Sequence, residues 1–127
     1  MDSTVMVDSC VFIDYFRSKK KEDTFLTKLT RKSRKLYVSA VAKYEVLAGA
    51  NERDILEWQR IFEKIVVFAF EDSTIMTARE IYQQLKKENK IIDIGDILIA
   101  ATAIANDLPL ATFNQNHFDR IRGLRLV

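Results

Sequence analysis

Cysteine, histidine, proline and glycine are all scarce in this 127-residue chain, which has one Cys, one His, one Pro and three Gly. A lone Cys10 excludes an intrachain disulfide, and with His117 as the only imidazole the Cys/His sets of structural zinc cannot be assembled. A reducing, cytoplasmic setting is the expectation from that cysteine usage. So few Pro and Gly leave no linker, low-complexity tract or repeat, and a single domain over residues 1–127 is expected. Long apolar runs are missing as well. The longest, Ile65 to Phe70, falls far short of the ~20 residues of a membrane span, so no membrane association is expected. No secretory leader is expected either, because the start lacks a cationic segment and Asp8 interrupts its apolar run.

A strong charge excess is also lacking. The net charge is +2, which excludes bulk polyanion binding as a default, yet the cations are unevenly placed. Residues 1–35 hold nine Lys or Arg against five Asp or Glu, and the remainder holds eleven against thirteen. Arg17, Lys19, Lys20 and Lys21 form one basic group, and Arg31, Lys32, Arg34 and Lys35 another. Either these are solvated helix faces or they meet phosphates.

What the chain does have is 48% hydrophobic and 30% charged residues, enough to bury one core. Apolar periodicity predicts a strand at 5–7, helices at 9–17 and 21–32, and a strand at 36–39. It continues with helices at 40–50 and 53–64, a strand at 65–70, and a helix at 73–88 with Ile75, Met76, Ile81 and Leu85 inward. A buried helix follows within 91–107, then strands at 110–112 and 124–127. Strands alternating with helices predict a parallel sheet of four to five strands covered on both faces, an α/β/α sandwich.

Three acids stand out against this pattern. Asp8, in TVMVDSCVFIDYF, ends the first strand where open α/β sheets place their ligands, but it is equally placed to cap the helix that begins at Ser9. Glu45, in AVAKYEVLAGA, has Val41, Ala42, Ala48 and Gly49 as helical neighbours, so no cation on its own helix offsets it. Small residues on that face suggest that something approaches it closely, and a buried charge there would need a cation or a metal from elsewhere; solvent exposure is the plainer alternative. Asp96 opens a helix that is apolar nearly all round, in IIDIGDILIAATAIAND, where a first-turn acid is either ordinary dipole chemistry or faces a cleft.

Four blocks in order, VDSCVFIDYF, SAVAKYEVLAGA, GDILIAATAIANDLPLATFN and NHFDRIRGLRLV, cover nearly the whole length, and through them the chain resembles the PIN domains of VapC-type toxins. That resemblance implies a PIN-like fold and a metal-dependent endoribonuclease that hydrolyses RNA phosphodiester bonds and inhibits translation. Asp8, Glu45 and Asp96 match the family's acidic metal-binding positions, and Thr112 its small hydroxyl beside the site. Asn114 stands where many members carry a fourth acid, so the number of ions stays open. Ser9, Thr112 and Asn114 are expected to orient water or ligands, and Arg17, Lys19, Lys20 and Lys21 to meet RNA. Hard oxygen donors without thiolate or imidazole favour Mg²⁺ or Mn²⁺. The implied partners are RNA, a cognate VapB-like antitoxin and a second copy in a homodimer. The alternative within the resemblance is a catalytically inactive module that binds RNA or protein. A receiver-type phosphoacceptor domain would need adjacent acids after the first strand and a lysine after the last, and has neither here. Cys10 and His117 are not expected to pair, because Cys10 is read as pointing away from Asp8.

Overall fold

Val5, Met6 and Val7 have no polar face to offer, and in the computed structural model, which describes residues 3–127, all three are buried in strand β1 (Thr4–Val7). A strand buried on both faces must be central and covered by helices. β1 pairs in parallel with β2 (Lys35–Ser39) on one side and β4 (Leu110–Ala111) on the other, and β2 pairs with β3 (Val66–Phe68). The strand order is β3-β2-β1-β4. The expected last strand is reduced to one bridge, Leu126 beside Leu110, held by Leu110 N–H to the Arg125 carbonyl and Val127 N–H to the Leu110 carbonyl.

The helices are α1 (Ser9–Arg17), α2 (Phe25–Lys32), α3 (Ala40–Ala48), α4 (Ile55–Glu63), α5 (Asp72–Lys87), α6 (Ile94–Ala105) and α7 (Gln115–Phe118). The chain steps from β1 to β2 to β3 in one direction and returns past β1 to β4. Right-handed crossovers therefore put α1 to α4 on one face and α5 with α6 on the other, which makes three layers. Phe12, Phe62, Trp58 and Phe16 join α1 to α4, with ring centroids 4.6–5.9 Å apart. Each buried ring of this kind contributes about 1.5–3 kcal/mol of transfer free energy.

Several expectations shift by local chemistry. The helix expected over 21–32 is split: Lys21–Asp23 form a 3₁₀ turn, and Thr24 starts α2 anew because its side chain accepts the Thr27 N–H. A second 3₁₀ turn, Glu52–Asp54, likewise precedes α4. On α5 the inward stripe is Thr74, Ala78, Ile81 and Leu85, whereas Ile75 and Met76 are exposed. The stripe at i, i+4, i+7 and i+11 is the one that faces α6, and it spends a threonine to do so. Leu56 on α4 is also exposed.

Scarce glycine leaves two helix ends to other residues. Asn89 (φ 57°) and Asp107 (φ 54°) take the left-handed position after α5 and α6, with Lys90 N–H bonding the Leu85 carbonyl and Leu108 N–H the Ala103 carbonyl. The second of these turns aims the chain from the buried α6 straight into β4.

Candidate functional site

The return of the chain past β1 creates a topological switch between β1 and β4, the position where open α/β sheets form a crevice at the strands' carboxyl ends. Asp8 and Thr112 are the residues that leave those two strands. Both are 2% exposed, and Thr112 Oγ1 donates to Asp8 Oδ2 at 2.7 Å. The other carboxylate oxygen, Oδ1, accepts the Ser9 N–H at 2.8 Å, so Asp8 is the cap of α1 as well as a rim acid. The two readings of Asp8 are one arrangement: the cap bond turns the carboxylate and the threonine locks it.

Ser9 links the first acid to the second. Its Oγ donates to Glu45 Oε1 at 3.0 Å, with Asp8 Oδ1 3.5 Å away. The close approach expected beside Glu45 is made by α6. An added Cβ at Gly95 would lie 2.8 Å from Glu45 Oε2, so only glycine leaves room for the carboxylate there. Asp96 follows Gly95, and its Oδ2 lies 3.3 Å from His117 Nδ1 on α7.

Electrostatics binds the three acids into one site. Burial raises the Glu45 carboxyl above its ordinary value; the Ser9 hydrogen bond opposes this, and the charges of Asp8, Asp96 and Asp93 add to it. Burial raises Asp96 too, with His117 opposing and Asp8 and Asp93 adding. Like charges at such sites raise each other's proton affinity. Among the described residues no three His, Cys, Asp or Glu side chains form a finished metal cage. The acids are instead anchored separately, by Ser9, Thr112 and His117, along one rim.

Other expectations are relocated. Cys10 does not point away from Asp8: its thiol donates to Asp8 Oδ2 at 3.4 Å and lies 3.7 Å from Thr112 Oγ1, because the first turn of α1 wraps back over the rim. Burial, followed by the charge of Asp8, pushes that thiol up to about 11, which keeps it an unreactive thiol near neutral pH. Asn114 is exposed, its N–H donating to Thr112 Oγ1 at 3.0 Å while its carbonyl accepts from His117 and Phe118. Asp93 occupies the cap position of α6 without a side-chain cap bond. Lys21 is tied to the fold: its ammonium donates to the carbonyls of Tyr15, Phe16 and Ser18, closing the end of α1. Arg17, Lys19 and Lys20 are exposed, and the two lysines line an open cleft of about 1200 Å³ that runs up to Thr112.

Sequence reasoning passed over Gly95 and the pairing of His117 with Asp96. Both lay within the quoted blocks, Gly95 beside Asp96 and His117 in the polar run after β4, but neither announces its partner until α3, α6 and α7 are packed.

A parallel α/β domain with an acidic rim at its switch point is thus the class that fold and site define. The PIN domain family model matches residues 5–124. Ribonuclease VapC1 of Methanocaldococcus jannaschii is 32% identical over 98% of this chain and 88% of its own length. In fold, the chain is similar to VapBC-1 from nontypeable Haemophilus influenzae, with a TM-score of 0.85 and 20% identity over 98% of this chain and 96% of the other. It is also similar to DNA-bound VapBC from Salmonella typhimurium, with a TM-score of 0.82 and 19% identity over 100% and 98%. This chain belongs to the PIN-domain family.

Proposed function

We propose that this protein is a divalent-metal-dependent endoribonuclease of the VapC kind, the toxin of a toxin–antitoxin pair, with Asp8, Glu45 and Asp96 as its ion-holding acids. The observation that carries this reading is the rim itself: one buried acid locked by Thr112 and two neighbouring acids whose proton affinities are raised by burial first and by one another's charge after it. The donor set fits a hard cation through its carboxylate and hydroxyl oxygens; the structure does bring the His117 imidazole to Asp96 and the Cys10 thiol to Asp8, but the thiol stays protonated near neutral pH. Separately anchored acids suit an ion that keeps part of its water shell, as Mg²⁺ and Mn²⁺ do.

When bound, such an ion supplies charge neutralisation at the phosphoryl oxygens and a lower pKa for attacking water. The chain's own residues do the rest. Thr112 and Ser9 fix the direction of Asp8, Ser9 also holds Glu45, and Gly95 keeps the space into which Glu45 points. His117 holds Asp96 toward the same rim. Lys19 and Lys20 flank the approach, where phosphates would meet them.

The cognate partner in this reading is a VapB-like antitoxin. A groove of about 460 Å³ between α2, β2 and α4, with Leu26, Leu36, Ile61 and Ile65 in its wall and Arg60 and Lys64 beside them, suits an amphipathic acidic segment. A homodimer belongs to the same reading.

Mapping cleavage ends in total cellular RNA tests the proposal. Wild type is expected to give discrete ends that require Mg²⁺ or Mn²⁺, and Asp96→Asn is expected to lose them. Identical ends from both proteins would reject the site, and no ends from either would leave an RNA- or protein-binding module.

A further inference from the structure

Phe113 is a large apolar residue 52% exposed to solvent, one position beyond the threonine that locks Asp8. It is exposed yet held. Its ring packs on Phe25 of α2 with centroids 5.5 Å apart and planes at 46°. Its backbone N–H donates to Cys10 Sγ at 3.5 Å, and the next N–H, of Asn114, donates to Thr112 Oγ1 at 3.0 Å. The ring is therefore fixed at the wall of the open cleft, close to the acidic rim, with one part against Phe25 and the rest free.

The same cleft carries Lys19, Lys20 and Lys28, all exposed, against the carboxylates of Asp14 and Asp23. Three cations against two anions leave the groove mildly positive. That balance suits tracking a few phosphates rather than gathering polyanions at large. A positive groove with an exposed, pre-oriented aromatic is the combination by which proteins hold single-stranded nucleic acid, because every base has a face to stack. A duplex keeps its base faces covered and offers none.

Resting on the ribonuclease reading above, we propose that Phe113 is the stacking platform for an unpaired base next to the bond that is cut, and that Lys28, with Lys19 and Lys20, holds the phosphates leading to it. Phe25 acts as a positioning residue that sets the angle of the platform.

The test uses the full-length Asp96→Asn protein, expected to hold RNA without cutting it, and a fluorescein-labelled single-stranded ten-nucleotide RNA. Adding Phe113→Ala is expected to weaken binding about tenfold, Phe113→Leu to weaken it similarly, and Phe113→Tyr to restore it. Adding Lys28→Ala is expected to flatten the plot of log affinity against log salt by about 0.7. Binding by the Phe113→Ala and Phe113→Leu proteins within twofold of their parent would overturn the proposal while leaving the ribonuclease reading intact. If the parent protein binds no RNA and wild type cuts none, both fall together. Unfolding midpoints equal to the parent's show that the losses belong to the groove, and a Phe113→Leu protein that is folded and binds fully counts against stacking.

Discussion

Gly95 and Glu45 share one space: a Cβ on the first would stand 2.8 Å from Oε2 of the second. Glycine in the first turn of α6 costs the helix about 0.5–1 kcal/mol relative to alanine, so its presence there serves the neighbouring helix rather than its own. The atom it would meet is the far end of a flexible side chain, which moves aside without unfolding anything.

Gly95→Ala therefore separates activity from stability. The added methyl displaces the Glu45 carboxylate by about 1 Å, a misplacement that costs on the order of 10²-fold in rate at a positioned site. Thermal unfolding is expected to be unchanged or slightly higher, from the gain in helix propensity. An RNA cleavage assay alongside a melting curve reads both, and full activity in Gly95→Ala would mean that the clearance at Gly95 does not set the position Glu45 needs.

Thr112→Val keeps the shape of the side chain and removes its hydroxyl. Asp8 Oδ2, at a buried position, then loses its 2.7 Å donor and keeps only the weaker Cys10 thiol at 3.4 Å, while the Asn114 N–H on its exposed residue loses its acceptor. Losing the buried hydrogen bond to the Asp8 carboxylate costs about 1–3 kcal/mol, to be read as a lower urea midpoint at unchanged slope. Thr112→Ser retains the hydroxyl and is expected to recover most of the loss. Equal midpoints for valine and wild type would show that the bond contributes nothing.

The rim acids set a pH dependence whose sign follows from their direction of shift. Glu45 lies above its ordinary 4.5 and Asp96 above its ordinary 3.8, burial first and neighbouring carboxylates after it. The native chain thus still holds protons that the unfolded chain has released. Stability from these two groups is highest below their unfolded values and falls as pH rises through their folded ones. Melting from acid to neutral pH in metal-free buffer is expected to show a decline that Glu45→Gln reduces and that Mn²⁺ reverses. His117 lowers Asp96 by hydrogen bond and charge, so His117→Ala is expected to move the acid limb of cleavage to higher pH. Superimposable melting profiles for wild type and Glu45→Gln would contradict the assignment.

Fold class was legible because its signals are local and repeated. Val5 to Val7 have no polar face, α6 is apolar nearly all round, and strands alternate with helices, so a covered parallel sheet follows without knowing which strand neighbours which. Where propensity competed with short-range hydrogen bonding, the pattern misled. Thr24 broke the helix expected over 21–32 by accepting the Thr27 N–H, and Thr74 with Ala78 displaced Ile75 and Met76 from the inward stripe of α5. The strand expected at 124–127 narrowed to the Leu126 bridge beside a two-residue β4.

Residue type and order by themselves determined that Asp8 ends a buried strand, that Glu45 has no cation three or four positions away on its own helix, and that Asp96 opens a buried one. Only the packed chain decided that Thr112 closes on Asp8 from 104 positions away, that Ser9 joins Asp8 to Glu45, that Gly95 clears room for that glutamate and that His117 holds Asp96. The reason is range: capping and periodicity act within a few residues and are written in sequence, whereas hydrogen bonds between elements and missing-methyl clearances exist only once those elements have been brought together.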